Sequence, residues 1–421
     1  MLRDNCVGRV RIAASFDKRS TYALGDRGTD MIRLPCQLKI CVGVTVISLY
    51  VVVFLVKNDV SRYIQNLNSQ LDVLRPPPVP ISTQSKVAEV PRATPVSGEL
   101  KCEPDRAAGG FKGFSELKPH IQDFLLYRHC RHFRLLLDVP RKCGAAAEDS
   151  AGIFLLLVIK TSPWNYERRE VLRNTWAAER QENGAVVRRV FLAGTAAGGE
   201  ERQRTDELLR VENHRYGDIL QWDFIDSFFN LTLKQLLFLD WMEEHCPHVH
   251  FLLNGDEDIF ANTDNMVHYL QAREDPQDSR QHLYVGQVLR DTKPVRWNKS
   301  KYYIPTQVYA AETFPPYITG GGFLISGYTA HVIYNMSFVV PVIPIDDAYI
   351  GMCVEKAGLE PEAHVGVLAV GEKVVPRRIY SMDPCVYRDL ILAHGFMPYE
   401  ILVMWERIHS PDLKCGILNK Y

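Results

Sequence analysis

The chain has 421 residues, 46% of them hydrophobic and 24% charged, enough for one large domain or two medium ones around a packed core. Its formal net charge is −1, without the basic excess that marks a nucleic-acid binder. Its ten cysteines include no C-x-x-C pair, so metal knuckles of that spacing are excluded.

Residues 1–39 carry eight Lys/Arg against four Asp/Glu. Seventeen uncharged residues follow, from Ile40 to Val56, interrupted only by Thr45, Ser48 and Tyr50. That length lies near the lower limit for a bilayer-spanning helix. It is long for the apolar part of a cleaved signal peptide, and no A-x-A-like cleavage site follows. The positive-inside rule places residues 1–39 in the cytoplasm as a tail, with 40–56 as a signal-anchor and the rest in the lumen. Met31 offers a second start, which would leave a tail of nine residues before the span.

Residues 57–110 read as a luminal stem. Arg75-Pro76-Pro77-Pro78-Val79-Pro80 favours an extended polyproline conformation, and the Ser/Thr/Pro/Ala/Gly-rich stretch after it cannot bury enough surface to offset its ordering entropy. Three sequons lie beyond the span, at Asn230, Asn298 and Asn335, as expected for luminal N-glycosylation. Seven cysteines are scattered over the same region, which suggests disulfides with at least one cysteine left over or paired between chains.

From Phe111 to Tyr421 the pattern is globular. Ile153 to Ile159 is a continuous apolar run suited to a strand buried on both faces. Arg168 to Trp176 has helical spacing, Val186 to Leu192 reads as a second strand, and Glu201 to Arg215 as a charged surface helix. Leu231 to Glu244 reads as an amphipathic helix, and Val249 to Leu253 as a third strand running into Asp256-Glu257-Asp258. Alternating strands and helices predict an α/β domain with a mainly parallel sheet, in which ligands bind beyond the carboxyl ends of strands.

Asp256 and Asp258 lie beyond such an end. Two carboxylates one residue apart can converge on a hard cation such as Mg²⁺ or Mn²⁺, which shares its coordination with substrate phosphates. A solvated acidic turn is the alternative. An EF-hand is not, because Ala261 stands where that loop needs glycine. Asp346-Asp347 follows another apolar run, where adjacent carboxylates are costly without a partner or a proton. A helix N-terminus would also account for them. Gly320-Gly321-Gly322 precedes an apolar segment and permits close backbone approach to a ligand, or simply a tight turn.

These features stand among seven ordered blocks. They are Arg168 to Trp176, Phe191 to Thr195, Gly217 to Phe224, Asp226 to Lys234, the acidic triplet, Pro315-Pro316-Tyr317 with Gly320 to Phe323, and Ile345 to Gly351. In this order they resemble the β-1,3-glycosyltransferases, in particular the β-1,3-N-acetylglucosaminyltransferases that extend galactose on mucin-type core 1 or lactosamine chains. The resemblance covers about Phe124 to Cys415. It implies a GT-A fold and an inverting transfer of N-acetylglucosamine from UDP-GlcNAc to a galactose-terminated glycan, in the Golgi membrane. The family usually carries Asp-Asp-Asp where this chain has Asp-Glu-Asp.

The resemblance also implies roles. Asp347 matches the catalytic base. Asp258 is expected as the direct metal ligand, with Asp256 also at the metal site, behind that ligand or nearer the ribose, and His394 matches a late histidine that completes the metal or phosphate site. Lys234 and Arg168 or Arg173 are candidates for phosphate or uridine contacts, with a solvated helix face as the alternative. Gly320, Gly321, Gly322 and Asp346 are expected at the substrate surface, and Cys353 and Cys385 as a disulfide. A β-1,3-galactosyltransferase using UDP-Gal and a catalytically silent Golgi glycan-binding protein are the other readings. A homo- or hetero-oligomer is compatible with all of them.

Overall fold

In the computed structural model of the protein, residues 102–110, 112–274, 281–369 and 382–415 are described. The expected cytoplasmic tail, the expected 40–56 span and most of the expected stem lie outside these residues. Among the described residues no helix is long and apolar enough to cross a membrane. The strands, in chain order, are β1 (Leu135–Leu137), β2 (Leu155–Lys160), β3 (Arg180–Glu182), β4 (Ala185–Thr195), β5 (Ile219–Ile225), β6 (Phe251–Asp256) and β7 (Ile259–Ala261). They continue with β8 (Tyr284–Gly286), β9 (Val288–Leu289), β10 (Tyr317–Ile318), β11 (Gly322–Ser326), β12 (Glu362–Ala363), β13 (Val367–Leu368) and β14 (Leu392–His394). The helices are α1 (Pro119–Tyr127), α2 (Tyr166–Arg173), α3 (Gly199–Tyr216), α4 (Leu231–His245), α5 (Thr263–Arg273), α6 (Gly327–Met336), α7 (Asp346–Lys356), α8 (Pro384–Tyr387) and α9 (Pro398–Ile408).

A nine-stranded mixed sheet runs β1-β5-β4-β2-β6-β11-β8-β12, with β3 beside β4. The apolar run read from the sequence is its centre, since every residue of β2 is buried. Its side chains alternate between two cores. Leu156 and Val158 join the one covered by α1, α4, α6 and α7, and Leu155, Leu157 and Ile159 join the one covered by α2, α3, α5 and α9. Burying each such side chain contributes about 1.5–3 kcal/mol. The expected parallel arrangement holds for the centre, where β5, β4, β2 and β6 are parallel neighbours. The strands β1, β3, β11 and β8 then add antiparallel pairings that the sequence pattern did not predict. A smaller sheet, β13-β14-β7, folds over the end of β6.

Three disulfides staple this domain: Cys102–Cys130, Cys143–Cys246 and Cys385–Cys415. Cys102–Cys130 ties residues assigned to the stem onto the folded part, and Ala108 is buried there. The expected pairing of Cys353 with Cys385 is corrected. Cys385 lies 5.4 Å (Cα–Cα) from Cys415, within bridging range. Cys353 is free and fully buried on α7, where burial pushes its thiol up to about 12.

Candidate functional site

The site forms where β2 and β6 end together. Their parallel register places Lys160 opposite Asp256, and the antiparallel β11 brings Gly322 opposite Gly255. The chain then turns through Glu257 and Asp258 into β7, against which β14 returns with His394 opposite Ile259. Trp176 fixes this turn by donating its indole N–H to the Ile259 carbonyl at 3.0 Å.

Asp256, Asp258 and His394 offer ligand atoms that all lie within 4.8 Å of one another. His394 Nε2 stands 3.2 Å from Asp258 Oδ1. That hydrogen bond, outweighing burial, holds the imidazole's affinity for a proton above its ordinary value. Burial works against the charge on Asp258, but the bond and charge of His394 prevail and hold that carboxyl below its usual range. Asp256 behaves differently, because burial raises it despite the nearby Lys160 ammonium.

Two oxygen donors and one imidazole with an open side fit a divalent cation that also takes phosphate oxygens. Asp258 is the better placed of the two carboxylates. Asp256 shares its charge with Lys160, whose Nζ is 3.4 Å from Oδ1. Glu257 stands apart from this group. Its carboxylate accepts hydrogen bonds from Thr161 Oγ1 and Asn165 Nδ2, so the extra methylene relative to aspartate is used to tie the triplet to the β2–α2 loop.

Lys160 links the second acidic pair to the first. Its Nζ bonds Asp346 Oδ2 at 2.6 Å, deep in the fold. Burial alone would strip the proton from this lysine, but Asp256 and Asp346 hold it charged. Asp346 and Asp347 open α7, and Asp347 accepts from the Gly320 amide at 3.0 Å and from Ala348 N–H at 2.7 Å. Desolvation, followed by repulsion from Asp346, pushes the Asp347 carboxyl up to about 7. A carboxylate with that affinity for a proton is suited to take one from a hydroxyl.

The three glycines serve close approach within the protein. A Cβ on Gly321 would stand 2.9 Å from His394 Cδ2, one on Gly322 3.0 Å from Leu392 Cδ2, and one on Gly320 3.4 Å from Asp347 Cβ. Any side chain at Gly321 would displace the histidine. A cleft of about 420 Å³ opens beside this group, lined by Lys160, Asn165, Arg168, Phe228, Lys234 and the acidic triplet among others. A larger cavity of about 770 Å³ lies between the α1–β1 connection and residues 223–233. The Cys102–His129–Cys130 cluster near it is no metal centre, because the two sulfurs are joined in a disulfide.

The predicted basic residues separate. Arg168 lines the cleft and donates to the Phe396 carbonyl at 3.0 Å. Lys234 lies on the cleft floor, with Nζ 2.9 Å from Asp226 Oδ2 and 2.8 Å from the Thr161 carbonyl, so it fixes that wall while its charge is already paired. Arg173 corrects the expectation of a donor contact. One turn after Arg169 on the same face of α2, it is buried against Asp218 (2.8 Å) and Glu212 (2.6 Å). Arg169 forks onto Glu212 and Arg189 reaches Asp218, which completes a structural network.

Of the sequons, Asn298 and Asn335 are exposed, and Asn230 donates to the Ile225 carbonyl at 2.7 Å. Sequence reasoning missed Lys160, Thr161 and Asn165. Lys160 carried a signal, as a cation closing an apolar strand at the sheet's ligand-binding end must find a buried partner.

The galactosyltransferase family profile matches residues 167–364. The chain is 48% identical over 342 residues to N-acetyllactosaminide beta-1,3-N-acetylglucosaminyltransferase 3 of Homo sapiens, covering 79% of this chain and 89% of that protein. It is 45% identical over 335 residues to the Homo sapiens acetylgalactosaminyl-O-glycosyl-glycoprotein beta-1,3-N-acetylglucosaminyltransferase, covering 79% and 85%. It is 42% identical over 307 residues to UDP-GlcNAc:betaGal beta-1,3-N-acetylglucosaminyltransferase 7 of Rattus norvegicus, covering 72% and 75%.

Proposed function

The chain belongs to the β-1,3-N-acetylglucosaminyltransferase family, and on that premise we propose that it moves N-acetylglucosamine from UDP-GlcNAc, with inversion, to the 3-hydroxyl of a terminal galactose on core 1 or lactosamine glycans. One observation carries the reading: a single buried lysine, Lys160, holds the acidic group of the donor side and the Asp346–Asp347 pair of the base side together.

Asp347 takes the proton of the acceptor hydroxyl. The freed oxygen pair forms the new bond to the sugar's anomeric carbon as the bond to the diphosphate breaks on the opposite face, and that electron pair leaves with UDP. Asp258, His394 and Asp256 are the residues that would hold Mn²⁺, or Mg²⁺. When bound there, the ion offsets the charge that grows on the diphosphate. Gly320 orients Asp347 through its amide, and Arg168 stands at the cleft wall for the donor. The domain takes the GT-A plan in this reading, with the donor across the carboxyl ends of β2 and β6.

The same reading places the domain in the Golgi lumen, anchored by residues 40–56. Three disulfides support an oxidising compartment. A transfer assay of the full-length protein with UDP-GlcNAc and UDP-Gal, on core 1 and lactosamine acceptors, tests the assignment. GlcNAc transfer is expected, and preference for UDP-Gal overturns it.

A further inference from the structure

Two of the cleft's cations are held by carboxylates, Lys160 by Asp346 and Asp256 and Lys234 by Asp226, while Arg168 stands on the wall with one hydrogen bond to the Phe396 carbonyl. A diphosphate entering beside Asp256 and Asp258 gains from any positive group that no carboxylate holds, and Arg168 is one such group.

Lys301 meets that description. It is exposed and makes no ion pair among the described residues. Its Nζ lies 5.1 Å from the centre of the Phe228 ring and 4.9 Å from that of Tyr302. Phe228 lines the cleft that holds the triplet, and it meets Tyr302 edge to face at 5.3 Å.

The backbone on either side of Lys301 is fixed. The Tyr303 amide donates to the Ser300 carbonyl at 3.3 Å, the Tyr302 amide to Ser300 Oγ at 3.1 Å, and the Ile304 amide to the Val295 carbonyl at 2.9 Å. The side chain therefore swings from a rigid base. Cation–π contacts at an exposed site are weaker than a charge-assisted hydrogen bond to a phosphate, so the two rings hold the ammonium without trapping it.

We propose that Lys301 is a positioning residue for the donor, moving from the Phe228–Tyr302 rings onto the diphosphate of the nucleotide sugar. The proposal rests on the nucleotide-sugar reading above. It differs from the roles of Arg168 and Lys234 in that this cation arrives with the ligand. Its contact strengthens as the leaving group gains charge, so it favours the transition state over bound donor.

The test compares Lys301→Met and Lys301→Arg with the wild-type full-length protein by equilibrium binding of UDP and of uridine, with Mn²⁺ present. Lys301→Met is expected to weaken UDP about tenfold or more while leaving uridine unchanged, and Lys301→Arg to recover most of the loss. Retained uridine binding shows that the variant is folded. Equal UDP affinity in wild type and Lys301→Met, or parallel losses for UDP and uridine, overturns the proposal while the donor reading stands. A wild-type protein that binds no UDP overturns both.

Discussion

Replacing Asp347 by asparagine should remove activity and change how stability depends on pH. Asp347 sits between the Gly320 and Ala348 amides, with Asp346 beside it, and its carboxyl is pushed up to about 7 from an ordinary 3.8. Raising a folded-state pKa gives stability that is present at low pH and is lost as pH rises through the folded value. Between about pH 5 and pH 8, the loss from this one group works out at about 2–3 kcal/mol. Asparagine carries no titrating proton. Its weaker acceptor toward the two amides adds an offset that does not vary with pH. Denaturant unfolding of wild type and Asp347→Asn at both ends of that range should show the wild type losing this amount relative to the variant. In parallel, kcat/KM for transfer should fall by about 10²–10⁴ in the variant. A stability difference independent of pH, or transfer at the wild-type rate, refutes the assignment of Asp347 as the base.

Glu257→Asp should leave Mn²⁺ affinity within about threefold, because the Glu257 carboxylate faces Thr161 and Asn165. A tenfold loss in a metal titration would return Glu257 to the metal group. Asp218→Ala strands the Arg189 guanidinium in the interior and leaves Arg173 only Glu212, and should cost about 3–5 kcal/mol in thermal or denaturant unfolding. UDP affinity of the folded fraction should be unchanged, and selective loss of UDP binding would restore a donor role to Arg173. The Cys353 thiol, buried and pushed up to about 12, should resist alkylation in the native protein and react on unfolding. Peptide mapping that finds Cys353 joined to Cys385 would contradict the pairing of Cys385 with Cys415.

The centre of the fold was legible because β2 reads as an unbroken apolar run and α4 and β6 follow in the expected order. The antiparallel strands beside it were not, since β8 and β11 are short and owe their pairing to neighbours distant in sequence. The acidic positions could be picked out one by one, but their connection could not. Lys160 meets Asp256 through strand register and Asp346 through a contact 186 residues away. Arg168 and Arg173 looked alike in sequence and parted in the structure, because helical geometry turns Arg173 inward with Arg169. Disulfide partners are not encoded in cysteine order. That is why Cys353, a small apolar side chain in its burial, was mistaken for a bridge.

The Cys143–Cys246 bridge spans 103 residues and closes a loop that contains β2, β4, β5 and α4. Asp256, Asp258, Asp347 and His394 all come later in the chain. Synthesis runs from the N-terminus, so both sulfurs are made before any of these four residues. The frame of the donor side is thus available for covalent closure before the chemical groups it must position have been made. A bridge over a loop this long stabilises by about 4–5 kcal/mol in the chain-entropy account. Oxidative trapping of chains truncated shortly after Cys246 would register that closure as a mobility shift. Its absence would mean that the later strands must fold first.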